Sequence, residues 1–295
     1  MRGEASNGVN ITAKAKILGI FGYPIRHTIS PAMHNAVIKA LGLDMIYMPF
    51  EIKPSNLRDA VNGIKGFGML GVNITIPHKE AVMKLLDDIS EEARLIGAVN
   101  TIVNKDGRLI GYNTDGYGYV ASIKEDCKFN PKDKIIIILG AGGAARAVLA
   151  ALAKSGAKKI IIANRTSSRA DNLIKTFKRK FPDTKFEAIG LEEDILMTYF
   201  QDINLLVNTT SVGMEKNEIL EIPLEALPKT AIVSDIVYNP LQTLLLKKAD
   251  KLGLAAYGGL SMLIYQGAKS FKLWTGIDAP VNVMRKAALK ALKTI

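Results

Sequence analysis

The sequence predicts an α/β protein built as two domains. Three observations carry that expectation. Short runs rich in Ile and Val alternate with segments of helical periodicity, as parallel strands joined by helices require. The second half opens with a strand-like run that enters a glycine-rich turn and then a helical stretch, KIIIILGAGGAARA. The chain of 295 residues is long for one hydrophobic core and ordinary for two.

The elements are read in order. Lys16–Phe21 and Met45–Phe50 are expected strands, with a helix from Pro31 to Leu41 between them. Gly71–Ile76 is a third strand, and a helix is expected after Pro77. That would place Lys79 in a first helical turn, where a cation faces the positive end of the macrodipole. Thr101–Leu109 turns at Asp106-Gly107 and reads as a hairpin. The polar stretch at 124–134 contains Pro131 and reads as a loop. The run at 134–140 is apolar enough to be buried on both faces. A helix over Ala144–Lys154 and a strand at 159–164 follow. Leu205–Asn208, Ala231–Asp235 and Ala255–Tyr257 continue the series, and helices over Leu260–Thr275 and Val281–Lys293 close the chain.

Composition narrows the function classes. Hydrophobic residues make up 48% and charged residues 23%, as in ordinary soluble proteins. No apolar run is long enough to span a bilayer, so no membrane partner is expected. The N-terminal residues 1–16 lack the apolar core of a signal peptide and read as a frayed tail. A single cysteine, Cys127, fits a reducing cytosol, and a cytoplasmic location is expected. His27, His34 and His78 do not group with acids at ligand spacing, so no metal is expected. The net charge of +11 comes from scattered lysines, many in helical stretches. It reads as a solvated surface that suits a small anionic substrate, not as a nucleic-acid footprint.

The glycine turn has the pattern G-x-G-x-x-A over Gly140, Gly142 and Ala145. Gly140, Ala141, Gly142, Gly143 and Ala144 would let backbone N–H groups at a helix N-terminus reach a pyrophosphate. An NAD site would place an acid at the end of the next strand. This sequence has Asn164, Arg165, Thr166, Ser167, Ser168 and Arg169 there. A guanidinium binds a 2′-phosphate bidentately, so the expected cofactor is NADP(H).

Several other residues have bland readings when taken singly. Ser30 before Pro31 is a helix N-cap with proline at the first helical position, beside a second hydroxyl on Thr28. Two hydroxyls and free N–H groups also make a carboxylate cradle. Asp115 is a first-turn acid, Asn100 a turn residue, and Lys79 a surface lysine. Taken together, GYPIRHTISPAMHN, NITIPHK, GAVNT, GYNTDG, GAGGAARA, NRT, DIVYNP and GGLSMLIYQGA resemble the shikimate dehydrogenase family, in the same order, from Ile17 to Gly276.

That resemblance implies an N-terminal α/β substrate domain with a mainly parallel sheet, a Rossmann-type NADP-binding domain, and an active-site cleft between them. It places residues 1–114 and 260–295 in the first and 115–259 in the second. It implies reduction of 3-dehydroshikimate to shikimate with NADPH, in aromatic amino-acid biosynthesis. The implied catalytic pair is Lys79 and Asp115. Thr28 and Ser30 match the hydroxyls that hold the substrate carboxylate, and Thr75, Asn100, Asp115, Tyr238 and Gln266 match the other substrate contacts. Gly140 to Ala144 match the phosphate loop and Asn164 to Arg169 the adenosine-side contacts. Ile236 and Gly259 match the nicotinamide lining, and Glu91 matches a cofactor position. Threonine at 28, where the family more often has serine, adds a methyl that bears on shikimate against the larger quinate. Gly258 stands where many relatives carry a polar residue. A quinate or dual quinate/shikimate dehydrogenase is the closest rival on this scaffold, with a methylenetetrahydrofolate dehydrogenase further off. A non-catalytic NADP-binding regulator is the rival from another class. A homodimer is the candidate assembly.

Overall fold

A computed structural model describes residues 11–215 and 219–294. Most of the expected N-terminal tail lies outside the described residues. The chain divides into two compact units. The first comprises the residues up to Ser90, then Val99–Tyr112 and Ser270 onward; the second comprises Glu91–Ala98 and Asn113–Lys269.

The first unit is built on β1 (Lys16–Gly22), α1 (Ser30–Ala40), β2 (Met45–Glu51), α2 (Leu57–Gly66), β3 (Gly71–Ile74), β4 (Asp88–Ile89), β5 (Thr101–Lys105) and β6 (Arg108–Tyr112). Its sheet has the order β2-β1-β3-β5-β6-β4. β2, β1 and β3 are parallel, as are β4 and β6, while β5 is antiparallel to both its neighbours. The hairpin forms at the expected place. Asp106 and Gly107 both have positive φ, 51° and 88°, the combination that matches a two-residue turn to the strand twist.

The second unit begins with α3 (Glu91–Ile96) and α4 (Asp115–Asp126). It continues through β7 (Ile135–Leu139), α5 (Gly143–Lys154), β8 (Lys159–Ala163), α6 (Ser167–Lys178), β9 (Lys185–Ile189) and α7 (Glu193–Phe200). β10 (Leu205–Asn208), β11 (Ile232–Asp235), α8 (Leu244–Lys251) and β12 (Ala255–Tyr257) complete its core. α9 (Leu260–Thr275) gives its first ten residues to the second unit and the rest to the first; α10 (Val281–Leu292) belongs to the first and packs on α1. The second sheet is parallel throughout, in the order β12-β11-β10-β7-β8-β9. This is the doubly wound dinucleotide-binding order, with its reversal between β7 and β10. Both faces are covered: Ile136 and Ile138 pack into one core, Ile137 and Leu139 into the other. The continuous apolar run at 135–139 is the sequence record of that double burial.

Two local features differ from the sequence expectation. Lys79 is not in the first turn of an α-helix. It lies in a turn, two residues before a five-residue 3-10 helix over Ala81–Leu85, so the macrodipole argument does not apply to it. Ser30 is the first residue of α1 and not its cap; Ile29 is the cap residue and makes no side-chain cap bond. β9 escapes sequence reading, because KFEAI mixes charged and apolar residues on an edge strand.

Candidate active site

In the first unit, backbone hydrogen bonds gather three of the expected substrate residues. Thr75 leaves the end of β3, and its N–H donates to the Phe21 carbonyl at 2.9 Å. Lys79 follows in the turn. Its carbonyl accepts from Val99 N–H at 2.8 Å, beside Asn100, whose own carbonyl accepts from Ile74 N–H at 2.8 Å. Lys79 is half-buried and Asn100 is buried. The Asn100 side-chain oxygen accepts from the Thr101 hydroxyl at 3.0 Å. Behind it, Asn73 Nδ2 donates to the Asn100 carbonyl, the Thr101 hydroxyl and the Ser270 hydroxyl, at 3.1, 3.2 and 3.1 Å. Asn73 Oδ1 accepts from Tyr47 at 2.8 Å. Thr28 and Ser30 are linked by Ser30 N–H donating to Thr28 Oγ1 at 3.3 Å. Ser30 is buried and Thr28 half-buried. The expected cradle thus has one N–H already occupied by the threonine hydroxyl.

In the second unit, Asp115 opens α4 and is buried. Its N–H donates to Asn113 Oδ1 at 3.0 Å, and Asn113 Nδ2 donates to the Ala98 carbonyl at 3.0 Å. The next residues explain how α4 comes so close to its neighbours. A Cβ on Gly116 would lie 2.7 Å from the Ala147 carbonyl oxygen of α5, and one on Gly118 would lie 2.7 Å from the Met262 carbonyl oxygen of α9. This packing sets Thr114 beside Gln266: the Thr114 hydroxyl donates to Gln266 Oε1 at 3.4 Å. Gly118→Ala is therefore expected to displace Asp115 relative to Gln266 and to cost about 2 kcal/mol, in the range for overpacking a tight contact. Urea unfolding measures the cost. An unchanged midpoint would show that α4 and α9 can part without penalty.

The remaining expected residues, Glu91 apart, stand at the carboxyl ends of the parallel strands, where doubly wound sheets bind ligands. Gly140, with φ of 102°, follows β7 in a conformation that favours glycine. Cβ atoms built on Gly142 and Gly143 would meet no atom within 4 Å. The backbone there is bare without serving internal packing. The N-terminus of α5 has no side-chain cap and no acid in its first turn. A diphosphate fits these features, since it would supply the anion and acceptors that this terminus lacks. Asn164 follows β8, and its Nδ2 donates to the Thr166 carbonyl at 2.8 Å. Ser167 and Ser168 open α6, whose N-terminus is again uncapped by side chains and without acids. Arg165 and Arg169 are exposed, and no ion pair involves them among the described residues. Two cations and a helix N-terminus with no carboxylate suit a 2′-phosphate. Ile236 and Tyr238 follow β11, and Gly259 follows β12 with its N–H on the Val237 carbonyl at 3.0 Å. Burial raises the Tyr238 phenol above its ordinary range. Glu91 opens α3 and is exposed.

Comparison with known proteins connects this geometry to a family. Residues 20–102 match the model of the shikimate dehydrogenase substrate binding domain. Residues 122–236 match that of shikimate / quinate 5-dehydrogenase, and 259–289 that of the shikimate 5′-dehydrogenase C-terminal domain. The NADP(+) shikimate dehydrogenase of Methanopyrus kandleri is 47% identical over 291 residues, covering 98% of this chain and all of that protein. The chain belongs to the shikimate dehydrogenase family. Among solved family members, a shikimate dehydrogenase in complex with NADP+ superposes with a TM-score of 0.89 at 43% identity, covering 98% of this chain and 99% of the other. The Thermus thermophilus shikimate 5-dehydrogenase, in complex with NADP(H) and shikimate, gives 0.84 at 36% identity, covering 94% and 99%. The family's fold, a substrate-binding N-terminal part and a Rossmann-like part, is the fold of this chain. Sequence reading does not single out Asn73, Thr101 or Asp235. Their signal is a polar residue inside or ending an apolar strand.

Proposed function

We propose that the protein catalyses the reversible, NADPH-dependent reduction of 3-dehydroshikimate to shikimate. The observation that carries this reading is the match to the family along the whole chain, joined to a bare glycine turn and an arginine pair where an NAD site would need an acid. Bound NADPH supplies the hydride for the substrate carbonyl. Lys79 donates the proton that the resulting alkoxide takes up, so that one carbonyl, one hydride and one proton give one secondary alcohol. Asp115 accepts a hydrogen bond from the neighbouring hydroxyl and orients it. Thr28 and Ser30 hold the carboxylate; Thr75, Asn100, Tyr238 and Gln266 hold the rest of the substrate. Orientation and proton management are the protein's share of the chemistry. The half-buried thiol of Cys127, pushed up to about 12 by burial and by Asp126, is unreactive and suits a cytoplasmic enzyme.

The test is NADP+ reduction with shikimate and with quinate, repeated with NAD+. Turnover of shikimate with NADP+ at the highest kcat/KM supports the reading. Preference for quinate with NAD+ would move the protein to the rival activity that shares its family model, and no turnover with either acid would sink both. Arg165→Ala is expected to raise KM for NADP+ by about tenfold to a hundredfold, the loss of a charge-assisted bond to phosphate, with KM for NAD+ unchanged. Equal effects on both cofactors would remove the arginine from phosphate selection.

A further inference from the structure

Asp235 ends β11 and is 1% exposed. Buried carboxylates are ordinarily paired with a cation, because leaving water costs a lone charge several kcal/mol. No cation pairs with Asp235 among the described residues. Three neutral donors surround it instead. Oδ1 accepts from Asn208 Nδ2 and from Val237 N–H, both at 3.0 Å, and Oδ2 accepts from the Thr243 hydroxyl at 2.8 Å.

The donors come from two places at the carboxyl edge of the second sheet: the end of β10, and the two ends of the β11–α8 connection. Asn208 ends β10, and its Oδ1 also accepts from the Thr210 N–H and hydroxyl at 3.0 and 2.7 Å. Thr243 caps α8, accepting from Leu246 N–H at 3.3 Å. Val237 follows Ile236, and its carbonyl accepts from Gly259 N–H at 3.0 Å. Ile236 N–H donates to the Asn208 carbonyl at 3.1 Å. Gly259 lies so close to Ile236 that a Cβ there would run into the Ile236 carbonyl. The carboxylate is therefore a fixed point for the end of β10 and for both ends of the β11–α8 connection, and the Val237 carbonyl passes that hold on to Gly259 after β12. An amide there would turn its NH₂ to Thr243, whose hydroxyl would have to reverse from donor to acceptor, and the charge that strengthens all three bonds would be lost.

We propose that Asp235 is a positioning residue for the nicotinamide end of the cofactor site, acting through Val237 and Asn208 to hold Ile236 and Gly259. This rests on the proposed function and on the resemblance, which matches Ile236 and Gly259 to the nicotinamide lining and Arg165 to the adenosine side of the cofactor. The two ends of the ligand then separate the roles. Binding of NADP+ and of adenosine 2′,5′-bisphosphate, which carries only the phosphorylated adenosine end, is measured by calorimetry on wild type, Asp235→Asn, Thr243→Val and Thr243→Ser. Asp235→Asn is expected to weaken NADP+ about tenfold and leave the bisphosphate within about twofold of wild type. Thr243→Val is expected to do the same to a smaller degree, and Thr243→Ser to restore wild-type binding. If Asp235→Asn does not fold, the threonine pair decides. Equal weakening of both ligands, or none of NADP+, overturns the proposal and leaves Asp235 a purely structural group. Wild-type protein that binds neither ligand would instead remove the cofactor reading on which it rests.

Discussion

Replacing Lys79 with alanine is expected to lower kcat about a thousandfold while leaving the affinity for shikimate near its original value. The size follows from the task. A positioned general acid or base contributes roughly a hundred- to ten-thousandfold, and a thousandfold corresponds to about 4 kcal/mol of barrier. The lysine's backbone is fixed independently of its ammonium, because its carbonyl is held by Val99 N–H at 2.8 Å next to buried Asn100. Removing the side chain should therefore leave Asn100 and Thr75 in place to bind the substrate. Steady-state kinetics with shikimate and NADP+, together with a direct measurement of shikimate binding, separate the two effects. A near-native kcat would take Lys79 out of the proton transfer. A loss confined to KM would make it a binding residue only.

Acid should destabilise the first unit through His34. This imidazole is 0% exposed, stacked on Tyr47 at 4.3 Å and close to Trp274 at 5.6 Å. Neither ring nitrogen has a hydrogen-bond partner among the described residues. Burial lowers its pKa from 6.5 to about 3. The unfolded chain takes up a proton near pH 6.5, whereas the folded chain resists until about pH 3. Between those values the unfolded state binds more protons, so stability is full above pH 6.5 and falls as pH falls. At roughly 1.4 kcal/mol per unit, the loss from this one group reaches about 3 kcal/mol by about pH 4.5 and about 5 kcal/mol near pH 3. His34→Leu is of similar volume, removes both unsatisfied nitrogens and should flatten this part of the profile. Its stability at about pH 7 should equal or exceed that of the wild type, since buried polar atoms without partners cost about 1–3 kcal/mol. Urea midpoints taken from neutral pH down to roughly pH 4 read the difference. Parallel profiles for the two proteins would show that His34 escapes to water before it titrates.

Much of the second unit is legible because parallel strands covered on both faces leave uninterrupted apolar runs, as at 135–139 and 159–163. The glycine turn and the arginines after β8 are legible for a related reason. Their chemistry is local, and consecutive residues supply it. The helix expected around Lys79 rests on a premise that fails. A proline after a strand suggests a helix start, and the chain instead makes a turn and a short 3-10 helix. The motif set leads to the same residue by resemblance, independently of that premise.

The α/β class, the family and the expectation of a phosphorylated cofactor follow from the order of residues along the chain, since periodicity and contiguous motifs encode them. Other features are written in no local pattern and exist only once the chain is packed. Packing sets Thr114 against Gln266 across 152 positions and Asn73 against Ser270 across 197. It also gives Asp235 three donors from two segments and leaves His34 without any among the described residues. A buried polar group's partner is chosen by which segments the fold brings within about 3 Å of it, and side-chain identity along the chain does not carry that distance.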